Sequence, residues 1–161
     1  MRALMPGSYD PVTRGHLAVI EDAARRYDRV TVAVFINPNK RGLFPYDTRV
    51  ALLRLATAHL ENVDVTFSDG MVADLAKSGG YDRIVKGIRN ECDRRYELEM
   101  AEYNLARGGV PTELVEAGAA FSEISSTAVR EALMANVPIT DLVPTCISAA
   151  VLSAYRAQKG E

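Results

Sequence analysis

Apolar residues in this chain alternate between two kinds of run. Ala3, Leu4 and Met5 form a short strand ending at a Pro6-Gly7 turn. Beyond the next loop the pattern becomes helical from about Gly15 to Arg26, with Leu17, Ile20, Ala23 and Ala24 at spacings of three and four. Arg29 to Ile36 is almost continuously apolar, as in a parallel strand covered on both faces. Asn37 to Gly42 reads as a loop, and a helix beginning at Tyr46-Asp47 places Val50, Leu52, Leu53, Leu55 and Ala56 on its buried side. A third strand spans Val63 to Phe67, and Ser68-Asp69-Gly70 turns it into a short helix from Val72 to Lys77. Arg83 to Lys86 is a fourth strand stopped by Gly87, Asp93 to Arg107 a charged amphipathic helix, and Glu113 to Glu116 a weaker fifth strand. Ser125 and Ser126 offer capping hydroxyls to a helix through Ala135. Pro138 and Pro144 bracket a turn, and Thr145 to Gln158 is a last helix. Strands alternating with helices predict an α/β fold of Rossmann-like type, a doubly wound parallel sheet of five strands in one domain over 1–161.

Composition narrows the partners. The 161 residues are 48% hydrophobic and 25% charged, with a net charge of −2 and no basic block. That argues against a dedicated nucleic-acid binder, which needs a concentrated cationic surface. Two cysteines far apart and two histidines suggest neither a disulfide framework nor a metal site built from protein ligands. The N-terminal apolar run is too short for a signal peptide and nothing approaches a membrane span, so the cytoplasm is the expected location.

The first loop carries the most chemistry. A strand–loop–helix junction in a parallel sheet puts a helix N-terminus at the carboxyl edge of the strand, where free N–H groups favour phosphate. Gly7 and Gly15 have no Cβ and let the backbone approach a ligand from both sides, and His16 stands ready to donate to a phosphoryl oxygen. Neither G-x-x-x-x-G-K-[ST] nor G-x-G-x-x-G is present, which demotes P-loop hydrolysis and dinucleotide redox chemistry. Polar residues instead follow successive strands: Ser8 and His16, then Lys40, then Lys86 and Arg89, then Ser125, Ser126 and Thr127. In an open α/β sheet that edge holds the ligand crevice.

The string Gly7-Ser8-Tyr9-Asp10-Pro11-Val12-Thr13-Arg14-Gly15-His16 resembles the (His/Thr)-x-Gly-His signature of the nucleotidyltransferase superfamily. Thr13 at its first position resembles the phosphopantetheine adenylyltransferase branch. Asn37-Pro38-Asn39-Lys40, Val85-Lys86-Gly87-Ile88-Arg89, Tyr96-Glu97 and Ile124-Ser125-Ser126-Thr127-Ala128-Val129-Arg130-Glu131 resemble further blocks of that family, in order and at compatible spacing. The resemblance implies strand order 3-2-1-4-5 and reversible transfer of the adenylyl group of ATP to 4′-phosphopantetheine, giving dephospho-coenzyme A and pyrophosphate. It also implies Mg2+ as cofactor and a homohexamer. The implied catalytic groups are His16 and Ser8, with Lys40 and Lys86 holding the incoming phosphate. Arg89 and the Gly87-Ile88 backbone would grip ATP phosphates. Tyr9, Glu97 and the segment Phe121, Ser122, Glu123, Ile124, Ser125, Ser126 and Thr127 would complete the nucleotide site. Met71, Val72, Met100, Tyr103, Asn104 and Glu131 would line the pocket for the pantetheine arm.

The chain departs from that pattern in places. Lys86 stands where the family often has Arg, keeping charge but losing a bidentate grip. Arg94, Arg95, Phe121, Phe35 and Tyr103 differ from frequent choices and bear on pocket shape and subunit contacts. His59 reads as a structural residue at a helix end. Two alternatives compete: another adenylyl- or cytidylyltransferase of the superfamily, opposed by Thr13 and the Lys86-to-Arg89 block, and a non-catalytic nucleotide or coenzyme A sensor, opposed by Ser8, His16, Lys40 and Arg89 being intact.

Overall fold

A computed structural model describes residues 1–161. The elements run β1 (Arg2–Gly7), α1 (Arg14–Arg26), β2 (Arg29–Phe35), α2 (Tyr46–Thr57), β3 (Val63–Ser68), α3 (Val72–Ser78), β4 (Arg83–Ile88), α4 (Glu91–Gly108), β5 (Thr112–Glu116), α5 (Ser126–Met134) and α6 (Ser148–Gln158). Single 3-10 turns occupy Ala119–Phe121 and Thr145–Ile147. All five strands pair in parallel, in the order β3-β2-β1-β4-β5. This is the predicted Rossmann-like arrangement.

Alternation along the strands builds two unequal layers. Ala3 and Met5 of β1 join Val30, Val32 and Val34 of β2 and Val85 of β4 in a core of 23 buried residues, completed by Val19 and Ile20 of α1, Leu52 and Leu53 of α2, and Val151 of α6. On the opposite face Leu4, Ala33 and Ile84 are buried with Ala76 and Val110 alone, and Phe35, Val72, Leu75 and Tyr81 pack against them partly exposed.

What opens the sheet at one place is a short ladder. β1 pairs with β2 over six positions but with β4 only at Ala3↔Arg83 and Leu4↔Ile84. The two central strands then part toward their carboxyl ends. The reversal of strand order lies at this point, where open α/β sheets bind ligands.

Several expected boundaries shift. β1 continues through Pro6 and Gly7 instead of turning there, with Pro6 in register with Ala33. The Pro6 carbonyl accepts from the Lys86 ammonium at 3.2 Å, so its missing N–H faces β4 beyond the last β1–β4 pair and no ladder bond is lost. Gly87 does not stop β4; it pairs with Val115, and a Cβ there would lie 3.0 Å from Val19. The glycine lets α1 press on the strand. Leu55 is 51% exposed because the buried side of α2 runs through Arg49, Leu52, Leu53 and Ala56, one step around the helix. β2 ends at Phe35, although Ile36 N–H still reaches the Ser68 carbonyl at 2.8 Å. The Asn90 side chain accepts from Asp93 N–H, so α4 starts two residues before Asp93. Of its 18 residues only Asn104 is buried, and Tyr96, Leu98, Tyr103 and Leu105 are exposed, so the helix is not amphipathic within this chain. A 3-10 turn precedes α6, which begins at Ser148.

Candidate active site

The β1–α1 loop sets the first catalytic candidate. Thr13 caps α1 by accepting from His16 N–H at 3.2 Å, and His16 Nδ1 accepts from Thr13 N–H at 3.0 Å. This is a capping box with His in the place usually held by Glu or Gln. Because Nδ1 accepts, the proton of the neutral imidazole is assigned to Nε2. Nε2 has no partner in the protein, and His16 lines a cavity of about 320 Å³ between β1 and β4. Burial first, and then the charges of Lys86 and Arg89, lower the His16 pKa from 6.5 to about 4. The imidazole is therefore a neutral donor at physiological pH.

That shift has a stability consequence. Above pH 6.5 neither folded nor unfolded chain protonates His16; between pH 6.5 and about 4 the unfolded chain takes up the proton and the folded one resists it. Stability falls over that window, by about 3 kcal/mol at its acid end. A 15N NMR titration of the free protein is expected to find the His16 ring still neutral at pH 5. A midpoint near 6.5 would show that neither burial nor the two cations act on it.

Lys86, near the end of β4, lies 3.6 Å from Glu97 Oε1 as well as bonding to the Pro6 carbonyl. Arg89 is held to Asp93 Oδ2 through Nε and through its own backbone N–H, both at 3.1 Å. Ser125 caps α5, accepting from Ala128 N–H at 3.0 Å, while Ser126 Oγ donates to the Pro11 carbonyl at 2.8 Å. Thr127 Oγ1 accepts from Arg130, whose Nη1 donates to the Asp10 carbonyl at 2.9 Å. With their hydroxyls engaged, Ser126 and Thr127 still present free backbone N–H groups at a helix N-terminus on the cavity wall. α1 offers less than its position suggests: Arg14 N–H donates to the Leu142 carbonyl and His16 N–H to Thr13, leaving Gly15 N–H alone free.

The cavity brings together Ser8, Tyr9, His16, Lys86, Gly87, Arg89, Glu97, Ile124, Ser125, Ser126 and Thr127. A second cavity of about 220 Å³ shares Ser8, Lys86 and Glu97 with it and continues past Val72, Met100 and Asn104. Ile88 and Ser122 line a further cavity of about 330 Å³ that shares Arg89 with the first. Phe121 packs beside Gly15. Lys40, Met71, Tyr103, Glu123 and Glu131 are exposed and line neither main cavity. Tyr9 turns inward at φ +45°, its hydroxyl donating to the Met5 carbonyl at 3.1 Å and its ring edge-on to His16, and burial raises its pKa. The hydroxyl proton is thereby engaged by β1. The space a Cβ on Gly7 would need is taken by the Tyr9 ring at 3.0 Å, so Gly7 serves packing, whereas a Cβ on Gly15 would meet the protein only at ordinary contact distances.

Three groups escaped the sequence reading. Arg130 lines the cavity, four residues after Ser126 on the same face of α5, a spacing that could have revealed it. Asp93 holds Arg89 at the i+4 position. Asp10 and Arg49, 3% and 4% exposed, form a buried ion pair with Nε 3.3 Å from Oδ1. The Asp10 carboxylate also accepts from Leu43 and Phe44 N–H, and Arg49 donates to the carbonyls of Phe44, Ser8 and Arg41. Two loops at the carboxyl edge are thereby tied together.

The model of the cytidylyltransferase-like family matches residues 4–132. A phosphopantetheine adenylyltransferase of Corynebacterium diphtheriae is 42% identical over 152 residues, which covers 94% of this chain and 96% of that protein.

Proposed function

The chain belongs to the cytidylyltransferase-like family, and from that premise we propose that it is a nucleotidyltransferase that moves the adenylyl group of ATP reversibly onto 4′-phosphopantetheine, a step of coenzyme A synthesis. The observation that carries this reading is the cavity at the β1–β4 opening, where a neutral imidazole donor faces Lys86, Arg89 and Arg130. Similarity to the corynebacterial adenylyltransferase over nearly all of both chains selects the acceptor.

The nucleophile needs no base. A phosphate monoester has its second pKa at about 6 and is largely dianionic at neutral pH. One of its oxygens bonds to the α-phosphorus of ATP as the α–β bridging bond breaks and pyrophosphate leaves. The protein positions two polyanions and neutralises the charge that develops. In this reading His16 Nε2–H and Ser8 contact the α-phosphoryl oxygens. Arg89, Arg130 and the Ser126 and Thr127 N–H groups hold the ATP phosphates. Lys86, between the two cavities, holds the acceptor phosphate, and the second cavity takes the pantetheine arm beside Val72, Met100 and Asn104. Lys40 would complete the acceptor site from the β2–α2 loop.

Mg2+ enters this reading with ATP, where it shields phosphate charge. Asp93 and Glu97 are the carboxylates on the wall, each paired with a cation, and no group of three His, Cys, Asp or Glu residues forms a cage. Such a donor set suits a metal held chiefly by substrate phosphates with a carboxylate at most. The exposed Tyr96, Leu98, Tyr103 and Leu105 of α4 supply apolar surface for a homohexamer, which light scattering would detect. No helix is long and apolar enough to cross a membrane, and the cytoplasm, where coenzyme A precursors are made, is the proposed location.

Pyrophosphate release with ATP and 4′-phosphopantetheine tests the reading. Faster turnover with nicotinamide mononucleotide as acceptor, or with CTP in place of ATP, would move the chain to another branch. Coenzyme A binding without any turnover would make it a sensor. Within the reading, Lys86→Ala is expected to weaken 4′-phosphopantetheine by at least tenfold, as losing one charged partner implies, and to leave unphosphorylated pantetheine nearly unchanged. Lys86→Arg should retain activity. Calorimetric titration showing equal weakening of both acceptors would put Lys86 outside the phosphate site.

A further inference from the structure

A guanidinium is a planar fork of five N–H donors, and most of the one on Arg89 is unused by the protein. Its Nε donates to Asp93 Oδ2 at 3.1 Å, and neither Nη atom donates to a protein acceptor. Arg130, the other arginine of the first cavity, is placed differently, with Nη1 donating to the Asp10 carbonyl and Nη2 to Thr127. Arg89 stands where the first cavity meets the further one lined by Ile88 and Ser122. With Nε taken, the edge left for a bidentate anion such as phosphate is the end-on one, Nη1 beside Nη2.

The hold on Arg89 starts from the backbone of α4. Asn90 caps the helix and accepts from Asp93 N–H at 2.8 Å, which fixes Asp93 in the first turn. Asp93 Oδ2 then accepts from both the backbone N–H and the Nε–H of Arg89. At side-chain exposures of 37% and 30% this pair adds little to stability. Asp93 also lines the first cavity, where its charge repels any bound phosphate. What it supplies in return is order: a long, flexible side chain is held before the ligand arrives, so binding need not immobilise it. We propose that Asp93 is a positioning residue for ATP, holding Arg89 by Nε so that both Nη groups meet the phosphates end-on. The inference rests on the assignment of Arg89 to the ATP phosphates.

Two substitutions separate position from charge. Asp93→Ala removes the acceptor, whereas Asp93→Asn keeps one, and one suffices because both bonds from Arg89 converge on a single oxygen. In calorimetric titration the Kd for ATP is expected to rise about 3- to 10-fold in Asp93→Ala, the ordering cost of one rotamer-rich side chain. In Asp93→Asn it should stay at or below the wild-type value, since the hold is retained and the repulsion is gone. Tm should not follow that order: both variants lose a carboxylate from the first turn of α4 and fall by similar small amounts. An unchanged Kd in Asp93→Ala overturns the inference. Equal weakening in the two variants, in step with Tm, overturns it as well, and so does tightening in both, which would leave Asp93 a repelling charge alone. The wild type keeps the two readings apart: if it binds ATP and Asp93→Ala binds as well, only the role of Asp93 is lost, whereas a wild type that does not bind ATP removes both.

Discussion

His16→Ala lowers kcat by an expected 10²–10³-fold, about the loss seen when one preorganised donor is removed from a developing oxyanion, while ATP affinity changes little. The asymmetry follows from where Nε2–H acts. A donor aimed at the reacting phosphoryl gains most as charge shifts in the transition state, so its removal shows in kcat before it shows in ground-state binding. The ring has a second job, since Nδ1 accepts from Thr13 N–H and closes the cap of α1. Alanine therefore also costs about 1 kcal/mol of stability. His16→Glu separates the two effects, because Glu is a usual partner in a capping box yet, ionised, has no proton to donate where Nε2 stands. It should recover Tm and not turnover. Recovery of both would make His16 a structural cap.

The second large effect is on stability. Asp10→Ala leaves Arg49 buried with no counter-charge and deprives Leu43 and Phe44 N–H of their acceptor. Breaking a buried pair from one side costs about 3–5 kcal/mol, a large part of what holds an ordinary domain together. Urea denaturation should read this as a lowered midpoint. A loss under about 1 kcal/mol would mean that water reaches the pair. Gly42 closes the same knot: at φ +68°, a Cβ there would stand 2.0 Å from Arg49 Nη2 and 2.6 Å from Asp10 Oδ2.

What the sequence yields, and what it withholds, divides along physical lines. Strand and helix identity follows from local periodicity, so all five strands and their order of alternation with helices were legible. The strand order itself came from resemblance, because nothing local says that β1 pairs with β4. Boundaries drawn at Pro6 and Gly87 missed because each residue's effect on a strand depends on a neighbour, Lys86 and the absent ladder for one and Val19 for the other. Leu55 and α4 show the same limit for helices: an apolar residue declares a tendency to be buried but not what covers it. In the site, His16, Lys86, Arg89 and Ser125 to Thr127 were readable as polar residues after successive strands, and the structure gathers them around one cavity. The Asp10–Arg49 pair was not, since no spacing rule links charges on different loops.

The seam between β1 and β4 has a consequence for how the protein is made. Synthesis delivers β1, β2 and β3 first, with His16 already on α1, and the second partner of β1, β4, follows only after α2, β3 and α3. Pairings so distant along the chain are slow to close. Until β4 arrives, β1 is an open edge and the imidazole has neither Lys86 nor Arg89 beside it. During refolding, recovery of nucleotide binding should therefore lag behind the helical signal of the first half, and a chain stopped before β4 should carry the signature residues without any affinity for phosphate.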